Sequence, residues 1–370
     1  MSKIKVLELF GGIGACSKAL KRLGIDYEIA DYVEIDKYAV ASYNAINGTN
    51  FEPQDICEWN KDIEVDLIMH GSPCQDFSLA GKQAGGDEGS GTRSSLMYET
   101  IRIVKKLKPK YVIWENVKNL LSKKHRHNFD AYLETMEQLG YTNYYQVLNA
   151  KDYGIPQNRE RVFTISIRKD IGKTFIFPPK QELKLKLKDK LEDEVDEKYY
   201  LSKRMINFFY KNEQIQKEKG NGFRFNVTNG NVIAKTITTR AGSRMDDNFV
   251  VKEGKIPEWH QRGEVYSQKG ISPTLCATDY KTPKLVVENS RIRKLTPKEC
   301  WRLMGFDDED FYKASQVNSN AQLYKQAGNS IVVNVLEAIL TNLLLKSTTT
   351  NQEIIEGQTT IFDYIGDSNE

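Results

Sequence analysis

A proline–cysteine pair lies in a short polar segment that follows a predicted strand. Residues 71–78 read Gly-Ser-Pro-Cys-Gln-Asp-Phe-Ser and come directly after the β-prone run Val65–His70. Pro73 restricts the backbone just before Cys74, so this loop could present a thiol at a fixed angle. A lone cysteine is more often a small buried hydrophobic residue, but the polar surroundings and the loop position also fit a nucleophile. His70 is better explained as a structural residue than as a base, so a cysteine–histidine hydrolase is only weakly supported.

Two later segments add a carboxyl group and a pair of arginines. The β-prone run Tyr111–Glu115 continues as Asn-Val, which puts the Glu115 carboxyl group at a strand end. Arg159 and Arg161 alternate in a second β-prone run, so we expect them on one strand face. They could clamp an anion or orient a base carbonyl group, or they could pair with nearby carboxylates. Taken alone, Glu115 is usually a capping or surface residue.

A glycine-rich turn follows the first predicted strand, in the segment Leu9-Phe-Gly-Gly-Ile-Gly-Ala15. Such a turn lets the backbone approach a ligand closely, but its spacing matches neither a dinucleotide fingerprint nor a phosphate-binding P-loop. Glu34, after the second strand, could accept hydrogen bonds from both hydroxyls of a ribose. Asp55 could accept one from an adenine amino group. The glycine-rich turn, Glu34 and Asp55 together indicate one of two structures. They form either a nucleoside site without a pyrophosphate or a structural turn with two surface carboxylates.

The elements that must position these residues are alternating strands and helices. The predicted strands are Val6–Phe10, Glu28–Ile35, Val65–His70, Tyr111–Glu115, Tyr144–Leu148 and Arg161–Ile167. Amphipathic helical segments lie between them, for example Ser94–Leu107. This alternation predicts an α/β fold with a doubly wound, mostly parallel sheet, whose ligands bind at the carboxyl ends of the strands.

The pattern changes after about Lys169, which predicts a second domain. We expect a catalytic domain over 1–175 that is completed by 325–346, and a smaller irregular β-containing domain over 176–290. The predicted strands of that second domain are Val232–Thr239, Phe249–Val251 and Lys284–Val287. Residues 291–324 would connect the two domains through a helix at Thr296–Met304. A second helix, Asn329–Leu345, would pack on the first domain, and 347–370 would form a loosely held acidic tail.

Composition narrows the class of protein. The 370 residues carry a net charge of +3, but 351–370 hold five acidic and no basic side chains, so residues 1–350 carry +8. That surplus is compatible with an anionic partner. Five scattered cysteines without a CxxC pair, together with only four histidines, argue against a disulfide scaffold or a zinc site. We expect no membrane span, no signal peptide and a cytoplasmic location.

Taken together, these segments resemble the cytosine-5 DNA methyltransferase family of bacterial or phage type. The resemblance covers roughly residues 4–170 and 291–345. Its early motifs are Phe10-Gly-Gly-Ile-Gly, Glu34, Asp55, Gly71-Ser-Pro-Cys-Gln-Asp-Phe-Ser, Glu115-Asn-Val and Gln157-Asn-Arg-Glu-Arg. Its late motifs are Arg293-Lys-Leu-Thr-Pro-Lys-Glu-Cys-Trp-Arg-Leu-Met-Gly-Phe and Gln326-Ala-Gly-Asn-Ser-Ile-Val-Val.

The resemblance implies a fold, a chemistry and a set of catalytic residues. The fold would be the Rossmann-like methyltransferase fold, with a target-recognition domain over 176–290. The Cys74 thiolate would add to carbon 6 of a cytosine, and Glu115 would hold and protonate nitrogen 3. Arg159 would contact the base carbonyl oxygen, and Arg161 would help to hold Glu115 or the Cys74 loop.

The resemblance also implies a cofactor, S-adenosylmethionine, which leaves as S-adenosylhomocysteine, and no metal. Its glycine loop would hold the cofactor, Glu34 its ribose and Asp55-Ile56 its adenine, while Asn329-Ser330 would close the pocket. The full set of implied cofactor-binding residues is Phe10, Gly11, Gly12, Ile13, Gly14, Glu34, Asp55, Ile56, Pro73, Asn329 and Ser330.

The implied partner is double-stranded DNA, whose target cytosine must be flipped out of the helix. Residues 76–93 are rich in glycine and polar side chains and would form a mobile loop over the DNA. The candidate DNA-binding residues are Gln75, Ser78, Arg93, Arg224, Arg240, Arg244 and Lys281. We further expect a monomer in a restriction-modification or DNA-protection role, with a possible cognate endonuclease acting separately.

Two alternatives stay open at this point. One branch of the family acts on tRNA, but a sizeable variable domain favours sequence readout of duplex DNA. A non-catalytic DNA-binding regulator on the same scaffold is disfavoured because such proteins usually lose the nucleophile or the carboxyl group. This chain keeps both Cys74 and Glu115.

Overall fold

The computed structural model describes residues 3–73, 96–220, 225, 227–228, 230–239, 241, 247–251, 265–267, 285–287, 291–346 and 359–360. Its strands are β1 Ile4–Leu9, β2 Tyr27–Val33, β3 Leu67–His70, β4 Tyr111–Val117, β5 Tyr141–Asn149, β6 Gln157–Asn158, β7 Glu160–Arg168, β8 Val227–Thr228, β9 Ala234–Lys235, β10 Phe249–Val251, β11 Val265–Ser267, β12 Leu285–Val287, β13 Ile292–Lys294 and β14 Thr359–Thr360. Its α-helices are α1 Ala15–Arg22, α2 Lys37–Asn47, α3 Met97–Leu107, α4 Arg126–Gln138, α5 Lys203–Glu218, α6 Pro297–Leu303, α7 Asp308–Ser315, α8 Asn320–Asn329 and α9 Val333–Leu340. Short 3-10 turns lie at Lys118–Leu121, Ala150–Tyr153, Lys169–Ile171, Leu187–Lys190 and Glu197–Tyr199, and α9 continues as a π turn over Thr341–Leu345.

The main sheet has seven strands in the order β14-β5-β7-β4-β3-β1-β2. The β1–β2, β1–β3 and β3–β4 pairs are parallel, whereas β7 runs antiparallel to β4 and β5. All six strands predicted for the first half of the chain are present, with shifted ends. The predicted fold class, a mostly parallel α/β sheet, is confirmed. The carboxyl ends of β1 to β4 therefore meet at one edge, where the predicted site residues should gather.

Alternate residues of each central strand enter two separate hydrophobic clusters. Val6 and Ile113 belong to the cluster that includes α1, α8 and α9, whereas Leu7 and Trp114 belong to the cluster that includes α3 and α4. Side chains alternate between the faces of a sheet, so this division shows helices on both faces. Burial on both faces explains why the predicted strands are nearly continuous apolar runs.

The helix predicted for 329–345 is interrupted. α8 ends at Asn329, Ser330 is extended with ψ of 157°, and α9 begins at Val333. Among the described residues, 320–345 is long and apolar enough to cross a membrane by length and composition alone, but half of its most apolar window is buried inside the protein. Leu336, Ile339 and Leu340 are fully buried against the main sheet, which is the behaviour of a core helix.

The second domain is less regular, but it contains a helix that the sequence reading did not predict. α5 packs Phe209 against Phe225, Phe249 and Ile292 in a small cluster of its own. β8, β10 and β13 form a three-stranded sheet. The predicted strand Val232–Thr239 is realised only as β9, which pairs in parallel with β6 of the catalytic part. This pairing places the second domain next to Gln157 and Asn158 of the predicted catalytic domain.

The acidic tail is partly ordered. β14, at residues 359–360, pairs antiparallel with Tyr144 and Tyr145 of β5 and adds a strand to the edge of the main sheet. The prediction of a loosely held acidic tail over 347–370 stays a prediction. The rest of 347–370 lies outside the described residues.

Candidate active site

Several predicted site residues lie outside the described part of the chain. They are the predicted nucleophile and all of the predicted DNA-binding residues: Cys74, Gln75, Ser78, Arg93, Arg224, Arg240, Arg244 and Lys281. The predicted mobile loop, 76–93, also lies there. The structure does describe the segment that leads to the cysteine, as far as Pro73.

Two side chains of β4 hold the start of the cysteine segment. Trp114 Nε1 donates a hydrogen bond of 3.0 Å to Ser72 Oγ, and Asn116 Nδ2 donates one of 3.3 Å to the Ser72 carbonyl oxygen. All three residues are buried. Trp114 and Asn116 flank Glu115 and point to the other face of the strand. One strand thus carries the predicted catalytic carboxyl group and anchors the residue two positions before Cys74.

His70 is part of the same support and is not placed as a base. It is fully buried, its Nε2 lies 3.2 Å from the Tyr132 hydroxyl, and its ring stacks on Trp114 with centroids 5.7 Å apart. Burial lowers the pKa of His70 to about 3, so the ring is neutral at pH 7. The structural interpretation of His70 agrees with these contacts.

Glu115 lies at the carboxyl edge of the sheet, next to Arg161. The Arg161 Nε atom is 3.1 Å from Glu115 Oε1. Val117 pairs with Arg161 across the antiparallel β4–β7 ladder, so Glu115 is its diagonal neighbour on the same face. A Cβ atom placed on Gly71 would lie 3.8 Å from Glu115 Oε2. The carboxyl group therefore borders the segment that enters the cysteine loop.

The surroundings of Glu115 shift the pKa of its carboxyl group upwards. Burial raises the pKa of Glu115 above its usual value, and the positive charges of Arg161 and Arg159 oppose that shift. A carboxyl group in this position can keep a proton and donate it to a ring nitrogen.

Arg159 is buried and lies elsewhere than the sequence reading expected. It falls between β6 and β7 rather than on one strand with Arg161, so the alternation argument does not apply. Its Nη1 donates to the Ile237 carbonyl oxygen at 3.0 Å. Its Nη2 donates to the carbonyl oxygens of Gly328 at 3.1 Å and Ser330 at 2.8 Å. Arg159 thus connects the second domain to the break between α8 and α9.

Gln157 binds Ile237 as well, through the backbone N–H instead of the carbonyl oxygen. Ile237 lies in residues 234–239 of the predicted target-recognition domain, which we call the recognition segment. Gln157 Oε1 accepts a 2.9 Å hydrogen bond from the Ile237 backbone N–H, and its Nε2 donates to the Leu303 carbonyl oxygen at 2.7 Å. In the sequence, Gln157 stands out only as the first residue of the Gln-Asn-Arg-Glu-Arg motif. Gln157 is buried, and Gln157 and Arg159 bind the N–H and the carbonyl oxygen of Ile237. Gln157 therefore helps to hold the second domain against the first.

Gly328 makes the closest backbone approach to the recognition segment. A Cβ atom there would lie 2.3 Å from the Thr239 nitrogen and 2.6 Å from the Thr238 carbonyl oxygen. Only glycine fits this contact. The sequence reading missed this requirement, although the Gln-Ala-Gly-Asn-Ser motif contains the residue.

The glycine loop has the predicted tight turn. Gly12 and Gly14 have φ of 56° and 82°, and Phe10 also has a positive φ of 52°. The Gly12 N–H donates to Glu34 Oε2 at 3.1 Å, and the Tyr32 hydroxyl donates to the Gly12 carbonyl oxygen at 2.6 Å. A Cβ atom on Gly12 would meet nothing within 4 Å. Glu34 and Tyr32 thus hold the loop in place, and the space beside the Gly12 Cα atom is open to a ligand.

The other predicted cofactor residues surround this opening. The Gln54 N–H donates to the Glu34 carbonyl oxygen at 2.9 Å, which brings Asp55-Ile56 beside Glu34. Asp55 Oδ1 accepts from the Cys57 N–H, while Ile56 is buried in the core. Burial raises the pKa of Glu34.

The predicted cofactor residues of the late motif lie near Gly71. The Ile331 side chain would lie 3.7 Å from a Cβ atom on Gly71, which brings Ser330 close to the segment containing Pro73. Ser330 is buried and Asn329 is exposed. Ile13 is buried in the main core, which leaves only its backbone to face a ligand. Ile35, missed in the sequence reading, is 67% exposed beside Glu34.

A buried carboxyl group lies beneath the glycine loop. Glu8 is 1% exposed, and its Oε1 accepts hydrogen bonds from the Ser17 N–H at 3.2 Å and the Tyr43 hydroxyl at 3.3 Å. Gly14, the residue before α1, cannot cap this helix with a side chain, so Glu8 accepts from its first turn instead. Burial raises the pKa of Glu8 to about 7.

Comparison with known proteins shows which family shares these motifs and this fold. Residues 4–345 match the family described as C-5 cytosine-specific DNA methylase. The orphan methyltransferase M.SPRI of Bacillus phage SPR is 33% identical over 442 residues, covering 93% of this chain and 98% of that protein. The type II methyltransferase M.HhaI of Haemophilus parahaemolyticus is 34% identical, covering 93% of this chain and 95% of that protein.

A solved structure supports the same fold. The crystal structure of the Dnmt2 methyltransferase of S. pombe has a TM-score of 0.65 at 18% identity, covering 93% of this chain and 99% of that chain. The match over residues 4–345 agrees with the position of Glu115 and Arg161 at the carboxyl edge of the sheet. The chain belongs to the C-5 cytosine-specific DNA methylase family and is a DNA cytosine-5 methyltransferase.

Proposed function

We propose that this enzyme methylates carbon 5 of a cytosine that is flipped out of duplex DNA, through a covalent adduct with Cys74. The observation that carries the proposal is the position of Glu115. Its buried carboxyl group is 3.1 Å from Arg161 and borders Gly71, three residues before Cys74 in the chain. A nucleophile and a proton donor can therefore act on the same base.

The cofactor in this proposal is S-adenosylmethionine, which supplies an electrophilic methyl group when it is bound. The open side of Gly12 leaves room for a ligand against the backbone. The Glu34 carboxylate accepts backbone N–H groups of Gly12 and Asp36, and the remaining lone pairs of its two oxygens can accept ribose hydroxyls. The exposed apolar side chain of Ile35 suits one face of an adenine ring.

In the proposed reaction, the Cys74 thiolate forms a bond to carbon 6, and the electrons of the carbon 5–carbon 6 double bond move towards carbon 5. Glu115 holds a proton on nitrogen 3, which stabilises the charge that develops in the ring. After carbon 5 has gained the methyl group, a base removes its proton, with water as one candidate. The carbon–sulfur bond then breaks and the thiolate is released.

The two arginines have different roles in this proposal. Arg159 already donates to three backbone carbonyl oxygens and is buried. Arg161 is partly exposed and touches Glu115, which supports Arg161 as the arginine that orients Glu115 and reaches the base carbonyl oxygen. Arg159 then positions the recognition segment, a change from the role that the sequence reading gave it.

The proposed setting is a bacterial or phage cytoplasm. Relatives include an orphan phage methyltransferase and a type II methyltransferase, which supports either DNA protection alone or restriction-modification with a separate endonuclease. In this proposal the enzyme acts as a monomer, and residues 176–290 read the target sequence.

A trapping experiment tests the chemistry. The purified chain is incubated with S-adenosylmethionine and duplex DNA whose target cytosine carries fluorine at carbon 5, which blocks loss of the carbon 5 substituent. The target is first found by mapping 5-methylcytosine after expression in a methylation-free host. We expect an adduct that survives denaturation, no adduct with Cys74→Ser, and no methylation of tRNA. Tight DNA binding by the wild type without an adduct would refute the covalent mechanism.

A further inference from the structure

A basic stretch follows the strand that carries Glu115. Residues 116–129 contain no aspartate or glutamate. Their basic and titratable side chains are Lys118, Lys123, Lys124, His125, Arg126 and His127. The stretch leaves the carboxyl end of β4, forms the 3-10 turn Lys118–Leu121 and enters α4 at Arg126. It therefore begins at the edge of the sheet where the site lies.

Some of these side chains are already committed to the fold. Arg126 Nε is 2.7 Å from Asp130 Oδ1, and its guanidinium lies over the rings of Phe129 and Tyr145. His125 is buried. Lys118, Lys123 and Lys124 are exposed, and we call these three the β4–α4 lysines.

The contacts of Lys118 connect this surface to the catalytic edge. Its Nζ atom lies 3.2 Å from Glu160 Oε2, and both side chains are largely exposed. Glu160 directly precedes Arg161, the partner of Glu115. Exposed ion pairs of this kind contribute little to stability, so a phosphate can replace Glu160 as the partner of Lys118.

We propose that the β4–α4 lysines bind phosphates of the DNA backbone beside the flipped cytosine. This inference rests on the proposed function, because a base that reaches Glu115 must bring its own strand past this edge. Each strand carries one negative charge per roughly 3.4 Å, which complements the three exposed lysines of a stretch, residues 116–129, that contains no aspartate or glutamate. Phosphate contacts fix the position of a duplex without reading its sequence. They also help to offset the free energy of base flipping.

The structure offers a matched control set at the opposite edge of the sheet. Lys105 lies in the last turn of α3, Lys110 precedes β4 and Lys169 follows β7, so all three lie near the opposite edge of the sheet. All three are exposed. Lys110 pairs with Asp66 at 2.8 Å, as Lys118 pairs with Glu160. The two sets thus have the same charge and a similar environment.

The experiment measures equilibrium binding of the full chain to a short duplex at several salt concentrations. Three proteins are compared: the wild type, Lys118→Gln/Lys123→Gln/Lys124→Gln, and Lys105→Gln/Lys110→Gln/Lys169→Gln. For the first triple variant we expect the slope of log K against log salt to become shallower by roughly 2 to 3. We expect affinity at about 0.15 M salt to fall at least about tenfold. The control triple should keep the wild-type slope.

Replacing the same lysines with arginine should restore most of the slope, which separates loss of charge from misfolding. An unchanged slope in the glutamine triple, or an equal loss in the control triple, would refute the surface. Loss of tRNA binding with unchanged duplex binding would also refute it.

The result can be separated from that of the trapping experiment, because binding is measured without methyl transfer. If wild type forms no adduct and the β4–α4 triple still reduces the slope, the covalent mechanism is wrong and the DNA surface stands. If wild type forms the adduct and the slope does not change, only the surface is wrong.

Discussion

Arg159 donates a 3.0 Å hydrogen bond from Nη1 to the carbonyl oxygen of Ile237, which joins the catalytic sheet to the recognition segment. The same side chain donates to the Ser330 carbonyl oxygen at 2.8 Å, between α8 and α9. One buried guanidinium therefore holds parts of the chain that are about 80 and 170 residues away in sequence. Arg159 holds the two domains together, whereas Arg161 contacts Glu115. Substitutions at the two positions should therefore have different effects.

Lysine at position 159 should impair docking, whereas lysine at position 161 should impair chemistry. A single ammonium group cannot reproduce three hydrogen bonds of a planar guanidinium. We expect Arg159→Lys to lower the melting temperature by several degrees, in line with a loss of about 2–3 kcal/mol, and to raise KM for DNA. Arg161→Lys should leave the melting temperature close to that of wild type and lower kcat about 10- to 100-fold.

Thermal melts and steady-state methylation of duplex DNA measure both effects. A wild-type melting temperature for Arg159→Lys, combined with a loss in kcat alone, would instead support direct contact of Arg159 with the base.

The hydrogen bond from Trp114 to Ser72 should affect the rate through the cysteine loop. Trp114→Phe removes the indole N–H, and Ser72→Ala removes the acceptor of the 3.0 Å bond. Either change should lower kcat about fivefold, since a net hydrogen bond is worth about 1 kcal/mol. The double variant should be little worse than either single variant because both remove the same contact. KM for DNA should change less than kcat.

Tyr132→Phe is the control for Trp114 and Ser72, because it removes the neighbouring hydrogen bond to His70 and leaves Ser72 anchored. Fully additive losses in the double variant would show that the two residues act separately.

Gly328→Ala should disturb the contact between α8 and the recognition segment. The added Cβ atom would lie 2.3 Å from the Thr239 nitrogen, so backbone must move. Overpacking of this kind costs about 1–3 kcal/mol, which should lower the melting temperature by several degrees and raise KM for DNA. Ala321→Ser, at an exposed position of the same helix, should change neither. Wild-type stability of Gly328→Ala would show that the segment is not docked as described.

The buried Glu8 carboxyl group should make stability depend on pH. Its pKa is about 7 in the folded protein against an ordinary value of 4.5. The folded state therefore binds this proton more tightly, and the associated stability is complete below about pH 4.5 and is lost as pH rises through about 7.

Glu8→Gln stays neutral, so its free energy of unfolding should gain about 2–3 kcal/mol relative to wild type between pH 5 and pH 8. Denaturant titrations at both pH values measure this change. Added salt should alter it little because the group is buried. Parallel pH profiles of the two proteins would contradict the assignment.

Much of the architecture follows from local patterns in the chain. The runs that form β1 to β5 and β7 are apolar and β-prone, and the glycine loop needs positive φ values that its own residues supply. Elements of this kind depend on neighbours within a few residues, so their type and order can be read without the fold. α5 was missed because its few buried residues pack on a small separate cluster rather than on the main sheet.

The sequence by itself determined the fold class, the order of the motifs and the identity of the residues that could do the chemistry. Only the tertiary structure decided which of them meet. Arg161 reaches Glu115 because β7 runs antiparallel to β4. Arg159 turns to Ile237 and Ser330, although only Glu160 separates it from Arg161 in the sequence. The physical reason is that hydrogen bonds and burial depend on distance in space, which residue spacing does not specify once strands cross over and domains dock.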